Sequence, residues 1–222
     1  MTQLIMKRLL LSLLLGRLFV PEAGAQKIIE KHMDFSNRDL ISLNIQIADS
    51  IRILTWNKNE VYVKTSININ DNKDNDIYQM MFDESGSTVA VLAKIKDEES
   101  GKRRNYNNNC CCFESHIYCD VYIPENANIS VESINGNITI TGRTAAVRAK
   151  SISGFIDLSV DPARKADLRL NTITGTVYTD LAVSANRSTR SVGTKISDLV
   201  NGGGKPISLE TISGDIFLRR SE

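Results

Sequence analysis

Apolar and polar residues alternate with a period of two along much of the chain after residue 39. The alternating stretches are rich in β-branched side chains and are separated by Asn, Asp and Gly, which is typical of half-buried strands. The stretch 76–82 fits a short helix and a strand equally well. We therefore predict an all-β protein. Its expected strands are 40–47, 51–56, 61–69, 88–95 and 116–124.

A second pattern, centred on glycine, recurs in the C-terminal half. Each copy has Ser or Thr three residues before Gly, Ile two before it, and Ile or Val two after it. We expect Gly to form a corner, because a Cβ is penalised in a left-handed position or a bulge. The flanking apolar residues, such as Ile212 and Ile216, are expected to point into the core. The copies are "ESINGNITI" from Glu132, "KSISGFIDL" from Lys150, "NTITGTVYT" from Asn171 and "ETISGDIFL" from Glu210.

The spacing of these glycines predicts stacked coils. Gly136, Gly154, Gly175 and Gly214 follow one another at steps of 18, 21 and 39 residues. A period near 20 residues is typical of solenoids, whose repeats bury their apolar faces only against neighbours. We expect a parallel β-helix or β-solenoid with an N-terminal antiparallel strand region, "ETISGDIFL" being its last full coil. A degenerate copy is expected between Gly175 and Gly214, either "SVGTKI" around Gly193 or, in preference, "KISDLV" at 195–200. A β-sandwich with Gly at hairpin turns is the alternative fold.

The first 25 residues have the layout of a secretory signal peptide. Lys7 and Arg8 precede an apolar run at 9–15, and a small-x-small site ends at Ala25. The run is too short to span a bilayer, and Arg17 follows closely. We predict cleavage after Ala25, export to the periplasm or cell surface, and no stable membrane span afterwards.

Three regions are expected: the signal peptide (1–25), an N-terminal β-strand region ending in a polar loop (26–109), and the Gly-centred repeat region (110–222). The last two are expected to form one continuous solenoid. The 222 residues include 27 Lys and Arg and 26 Asp and Glu, a net charge of +1. This balance gives no basic excess with which to bind nucleic acid.

All four cysteines, Cys110, Cys111, Cys112 and Cys119, lie within ten residues. Disulfides are the default in an exported protein, so all four are disulfide candidates, in a connectivity that the sequence leaves open. A soft-metal site is the alternative, since His116 lies between Cys112 and Cys119. The spacing departs from the paired pattern of zinc sites, so we expect a disulfide staple and no metal.

No catalytic motif is recognisable. Only two histidines, His32 and His116, are present, and neither lies in a nucleophile–base pattern. A polysaccharide-cleaving site needs two carboxylates about 5–10 Å apart. Glu132 and Glu210 share a repeat position, but they belong to the first and last copies and are expected several coils apart. We therefore expect no catalytic residues and no cofactor.

Aromatic residues around the cysteines form the first candidate for a binding patch. Tyr118 and Tyr122 have the same strand parity as His116, whereas Cys119 is expected on the opposite face. Trp56 is a possible sugar-stacking ring, but strand aromatics usually pack, so we expect it in the core. The candidate patch consists of Tyr106, Phe113, His116, Tyr118 and Tyr122.

The chain resembles the exported "putative adhesin" family of β-strand-repeat proteins, whose function is not known. The stretches that carry the resemblance are "IRILTWNKNEVYV" (51–63), "IYCDVYIPENANISVESINGNITI" (117–140) and "GGGKPISLETISGDIFL" (202–218). They match, in order, an early strand–Trp–turn–strand unit, a strand that ends in Pro before the first Gly repeat, and a closing repeat. The triple cysteine is not part of that pattern.

The resemblance implies an all-β, right-handed, parallel-helix-like fold in an exported bacterial protein, and it supplies no catalytic residues. We therefore expect a non-enzymatic binding protein of the cell envelope, with an unidentified glycan or envelope protein as partner. One alternative is a periplasmic accessory or sensor protein of an envelope-stress system. The other is a polysaccharide-cleaving β-helix enzyme.

Overall fold

A computed structural model describes residues 26–96, 113–183 and 193–221. These residues form fifteen strands and one turn of 3₁₀ helix, Asn75–Ile77, and they contain no α-helix. The strands are β1 (Lys27–Asp34), β2 (Leu40–Ile45), β3 (Ile47–Trp56), β4 (Glu60–Ile69), β5 (Tyr78–Asp83), β6 (Thr88–Ile95), β7 (Ser115–Pro124), β8 (Asn128–Thr141), β9 (Val147–Ser153), β10 (Ile156–Val160), β11 (Ala166–Thr174), β12 (Val177–Thr179), β13 (Thr194–Val200), β14 (Lys205–Ser213) and β15 (Ile216–Arg220).

The all-β prediction is confirmed, and the predicted strands correspond to β2, β3, β4, β6 and β7. The stretch 76–82, which fitted a helix and a strand equally well, contains both, because the 3₁₀ turn runs directly into β5. Alternation predicted these strands well because each has one face in the core and one outside.

All fifteen strands belong to one mixed sheet with two halves that meet in β8. Half A runs β5-β6-β2-β8-β9-β14-β11-β13, and half B runs β1-β4-β7-β3-β8-β10-β15-β12. The first part of β8, to Ser133, pairs with β2 and β9, and its second part, from Asn137, pairs with β3 and β10. Within the described residues the sheet is open, since β5, β13, β1 and β12 each have one partner strand.

Both halves bury their alternate residues in a single hydrophobic core. Side chains in register across neighbouring strands form rows that are at most 1% exposed. Full burial of an aliphatic side chain contributes about 1.5–3 kcal/mol, so these rows are the main source of stability. One such row in half A is Leu43, Val131, Ala149, Leu209 and Leu170. One in half B is Ile53, Ile140, Leu158 and Leu218.

The Gly-centred copies are stacked in an order that differs from the sequence. The last three copies each place one strand in half A and one in half B, with Gly between them, whereas the first copy spans both halves within the single strand β8, which contains Gly136. β14 pairs in parallel with both β9 and β11, and β15 pairs in parallel with both β10 and β12. The last copy therefore lies between the second and third copies, and its prediction as the last coil is wrong.

The degenerate copy expected at 195–200 is also wrong as a coil. These residues form β13, which pairs antiparallel with β11. β13 therefore runs opposite to the parallel strands of the Gly-centred copies. It pairs with β11, the last of those parallel strands in half A, and forms the edge of the described sheet. The chain then turns at Asn201–Gly204 and enters β14 between two strands already formed upstream.

The glycines stand at the corners, as predicted. Gly154 and Gly214 have φ values of 124° and 153°, a region that side chains with a Cβ rarely adopt. A Cβ on Gly214 would lie 2.1 Å from the carbonyl oxygen of Gly154, and one on Gly175 would lie 2.1 Å from that of Gly214. The backbones of neighbouring copies therefore approach too closely for any residue but glycine.

The Ile two residues before each Gly was predicted to point inward, and this prediction is wrong. Ile134, Ile152, Ile173 and Ile212 are 42–48% exposed and form one row on the outside of half A. The preceding Ser or Thr takes the inward position, because its hydroxyl can bond to carbonyl groups at the corner. Thr211 Oγ1 donates to Gly214 O at 2.7 Å. The Ile after Gly, as in Ile216, is buried as expected.

Candidate functional site

The outer face of half B carries a group of aromatic side chains. Trp56 has the opposite strand parity to the buried Ile53. Tyr62 lies between two buried valines, and Tyr122 lies between the buried Val121 and Ile123. The same parity that sends the aliphatic residues inward therefore sends these rings outward. Strand pairing then brings them together, since Tyr62 lies opposite Tyr122 in the β4–β7 register, and His32 lies opposite Tyr62 in the β1–β4 register.

These four residues, His32, Trp56, Tyr62 and Tyr122, are called the aromatic cluster below. The rings of His32 and Tyr62 are stacked, with centroids 4.4 Å apart. The Trp56 ring lies 5.3 Å from that of Tyr122 and 6.1 Å from that of Tyr62, and the two tyrosine rings are 5.8 Å apart. His32 is exposed and the other three are half-buried, so the cluster presents a continuous aromatic surface to solvent.

The turn between β3 and β4 holds the cluster in place. The Trp56 Nε1–H donates to Glu60 O at 2.9 Å, which fixes the plane of the indole. Lys58 Nζ lies 4.5 Å from the centroid of the Trp56 ring, a cation–π contact. Glu60 Oε2 is 3.3 Å from His32 Nδ1. The rings are thus oriented before any ligand arrives, which lowers the entropy cost of binding.

Charged pairs flank the aromatic cluster on the same face. Arg52 donates two hydrogen bonds to Asp120, at 2.6 and 2.7 Å, and Lys64 Nζ lies 2.9 Å from Glu30 Oε1. The hydrogen bond from Lys64 lowers the pKa of Glu30, while desolvation raises the pKa of Tyr62. At neutral pH Glu30 is therefore ionised and Tyr62 is a neutral phenol, able to donate a hydrogen bond.

Trp56 was expected in the core, and this prediction is wrong. The period of two contained the correct signal, since Trp56 is out of phase with Ile51 and Ile53, which are both buried. Sequence reasoning missed His32 and Tyr62 for a different reason. They join the site only through the pairing of β1, β4 and β7, which no local pattern reveals.

The residues of the predicted binding patch divide between two places. Phe113, His116 and Tyr118 are exposed near the start of β7, and Tyr106 lies outside the described residues. Tyr122 belongs instead to the aromatic cluster, about 13 Å along the strand from Tyr118. The predicted parity is confirmed, because His116, Tyr118 and Tyr122 are on the outer face and Cys119 is buried.

Cys119 is a free thiol in the core, 1% exposed, so its expected disulfide is absent from the structure. It faces Thr65, whose Oγ1 lies 3.3 Å from the Cys119 Sγ. The inward parity of Cys119 places its thiol in the core. Cys110, Cys111 and Cys112 lie outside the described residues, and their disulfide stays a prediction. Within the described ranges, no group of three or more His, Cys, Asp or Glu is placed to hold a metal.

We expect Cys119 to be inert towards thiol reagents in the folded protein. Burial raises the pKa of its thiol to about 12, so almost no thiolate is present at pH 8, and no reagent can reach it. A variant with Cys110, Cys111 and Cys112 replaced by serine isolates this thiol. Ellman's reagent should detect it only after addition of denaturant. Rapid labelling of the native variant would contradict the core position.

Glu132 and Glu210 are closer together than predicted. Only β9 separates their strands, and Lys150 stands in register between them. Two strand spacings amount to about 10 Å between the backbones. The expectation of several coils was wrong because the last copy is inserted next to the second. The resulting Glu–Lys–Glu row is the alternation of opposite charges that stabilises a solvated sheet face.

One cleft occurs near the corner between β2 and β3. It has a volume of about 130 Å³ and is bordered by Asp49, Ser115, Asn135 and Asn137. Pockets for drug-sized ligands measure about 300–1,000 Å³, so this cleft is too small for such a ligand. Asp49 Oδ2 already accepts the Ile117 N–H at 2.6 Å. The aromatic cluster, a surface and not a cavity, is therefore the stronger candidate site.

The fold is similar to that of a solved protein. A "putative cell adhesion protein" from Clostridium sporogenes superposes with a TM-score of 0.57 at 10% identity, over 89% of this chain and 100% of that one. "Putative adhesins" from Bacteroides fragilis (TM-score 0.24, 10% identity, 89% and 99% coverage) and Parabacteroides distasonis (0.31, 8%, 70% and 66%) are more distant. No protein-family model and no curated protein matches the chain.

The likeness to the Clostridium sporogenes protein confirms the predicted resemblance at the level of the fold. At 10% identity it shows the fold alone. In the described part of the chain, no helix is long and apolar enough to cross a membrane.

Proposed function

We propose that the protein is an exported, non-enzymatic binding protein of the cell envelope, and that the aromatic cluster binds carbohydrate. The observation that carries this proposal is the continuous, solvent-facing surface formed by His32, Trp56, Tyr62 and Tyr122. Part of the apolar area of these rings remains in water, since His32 is exposed and the other three residues are half-buried. A ligand that covers the cluster buries the apolar area that the fold leaves exposed.

The chemistry of a pyranose ring matches this surface. One side of the ring presents C–H groups, which pack favourably on an aromatic ring, and its rim carries hydroxyl groups that both donate and accept hydrogen bonds. Arg52 and Asp120, beside the cluster, offer further donors and acceptors to such hydroxyls. A small apolar ligand would make no use of their remaining hydrogen-bonding capacity, which favours a sugar.

The export and the architecture belong to the same proposal. Residues 1–25 act as a cleaved signal peptide that delivers the chain to the periplasm or cell surface. The parallel copies act as a short solenoid in which β13 and the antiparallel strands β1, β4 and β5 cover or extend the ends. A rigid sheet then presents the cluster, as expected of an adhesin-like protein that holds a glycan without cleaving it.

Replacing Trp56 by alanine is expected to weaken glycan binding by about tenfold or more, because buried Trp and Tyr anchors dominate binding energies. Phenylalanine at this position should retain much of the affinity, since it keeps a ring for stacking. The measurement is binding of the protein from residue 26 onward to an array of immobilised bacterial and plant glycans, followed by titration calorimetry with the glycan that binds best.

Tyr118→Ala is the matched control, since Tyr118 lies on the same face of the same strand as Tyr122 but outside the cluster. It should leave binding unchanged. Loss of binding in Tyr118→Ala with full binding in Trp56→Ala would transfer the site to the patch of Phe113, His116 and Tyr118. Thermal melts of both variants exclude unfolding as the cause.

A further inference from the structure

A second group of aromatic rings lies on the outer face of half B. The rings of Tyr178 and Phe217 are stacked, with centroids 5.1 Å apart, and Phe155 meets Phe217 edge-on at 6.0 Å. Tyr178 is 50% exposed, and the Arg219 guanidinium lies 5.3 Å from the centre of the Phe217 ring. These three residues, Phe155, Tyr178 and Phe217, are called the second cluster below.

An uninterrupted register connects the two clusters. From β4 to β12, one residue of each strand stands in a single cross-strand row, and no described strand breaks it. Phe217 and Tyr178 of the second cluster occupy one end of this row. At the other end, Tyr62 and Tyr122 lie two residues along their strands from Lys64 and Asp120, at the next outward-facing position. The row consists of Lys64, Asp120, Arg52, Thr139, Asp157, Phe217 and Tyr178.

The stretch between the clusters is polar and well ordered. Arg52 is paired with Asp120 at one end, and at the other end Arg219 donates two hydrogen bonds to Asp157, one of them at 3.0 Å from Nε. The two arginine side chains are more than half exposed, at 60% and 56%. Each guanidinium thus keeps N–H groups for a ligand while its carboxylate partner holds it in place.

We propose that the two clusters are the two ends of one binding face for an extended polysaccharide chain that crosses the strands. This inference rests on the proposed function and adds the form of its ligand. Sugar rings at each end stack on the aromatic side chains, and the hydroxyls of the rings between them bond to the polar row. Stacking positions at both ends with hydrogen-bonding positions between them fit a chain, whereas a single sugar uses only one end.

The separation of the clusters sets the length of that chain. Tyr122 and Phe217 are four strands apart, which is about 19 Å at the usual strand spacing. In an extended chain, each sugar ring advances by about one strand spacing. Bridging both clusters therefore requires about five to seven rings. A shorter oligosaccharide engages one cluster only, and joining two weak sites through one ligand raises the overall affinity.

The test compares oligosaccharides of different length by titration calorimetry. The probes are β-1,4-linked oligomers of glucose and of N-acetylglucosamine, as trimers and as heptamers. For the unaltered protein, we expect the heptamer of the preferred sugar to bind at least about tenfold more tightly than its trimer. Tyr178→Ala, at an exposed ring, should remove most of this gain, so that the heptamer binds about as tightly as the trimer. Phe217→Ala should act in the same direction, and thermal melts check that both variants are folded.

The outcomes separate the two proposals. Equal affinity for trimer and heptamer, with binding that still depends on Trp56, would overturn the two-ended face and leave the aromatic cluster as a carbohydrate site. A heptamer gain that survives both Tyr178→Ala and Phe217→Ala would also overturn the two-ended face. If neither sugar series binds at either length, or if Trp56→Ala leaves the affinity unchanged, the result would count against the proposed function itself.

Discussion

Replacing Gly214 by alanine should lower the free energy of unfolding by about 3 kcal/mol or more, near the upper end of single-substitution effects. The new Cβ would lie 2.1 Å from Gly154 O, and the φ of 153° is unfavourable for any residue with a side chain. The atom it meets is backbone, so relief requires the two copies to move apart. That movement would loosen the core rows on both sides of the corner.

The matched control for this substitution is Gly202→Ala. Gly202 also has a positive φ, 88°, but a Cβ there would have no atom within 4 Å. The Gly202→Ala substitution should therefore lower the free energy of unfolding only by the backbone strain, about 1–2 kcal/mol. Urea unfolding of the protein from residue 26 onward, monitored by tryptophan fluorescence and circular dichroism, measures both effects. Similar losses for the two variants would show that the corner tolerates a side chain.

The corner glycines could be predicted because their constraint is local and repeated. Four copies with Gly at the same position point to a backbone requirement, and the structure supplies it as carbonyl groups that touch across copies. The strands could be predicted for a similar reason, since each alternates between core and solvent. Information of this kind is carried within ten residues of chain.

The exposed Ile row shows where the same reasoning fails. The Ile before each Gly is apolar in every copy, which suggested burial, but it is an odd number of residues from the buried position at Val131. Parity alone places Ile134 outside and Ser133 inside. Apolar identity was given more weight than parity, although β-branched side chains also favour strands when they are half exposed.

The aromatic cluster required knowledge that the sequence does not carry locally. Trp56 and Tyr122 are neighbours because β3 pairs in parallel with β7, across a connection that contains three other strands. His32 joins through a further pairing, that of β1 with β4. Parity could have placed each ring on an outer face, but only the strand order places the four rings on one surface.

The strand order leads to the other large effect that we expect. A protein that ends at Gly204, and so lacks β14 and β15, should lose cooperative unfolding in its C-terminal half. These strands bury Ile207, Leu209, Ile216 and Leu218, each at most 1% exposed. At about 1.5–3 kcal/mol per side chain, the loss is about 6–12 kcal/mol, comparable with the whole stability of a typical domain.

The location of the damage distinguishes this strand order from a stack in sequence order. In a sequential stack, removing the last copy would expose one neighbour, and β11 would remain paired with β9. In this structure β11 pairs only with β14 and β13 among the described strands, so the truncation separates it from the rest of half A.

Hydrogen exchange followed by mass spectrometry should therefore show rapid exchange throughout 166–174 in the truncated chain, while β2, β3 and β7 keep substantial protection. A chain that ends at Arg220 retains β15 and serves as the control, with exchange expected to match that of the full protein. Protection of 166–174 that survives removal of 205–222 would mean that β11 has a partner strand other than β13 and β14. The insertion of the last copy between β9 and β11 would then be incorrect.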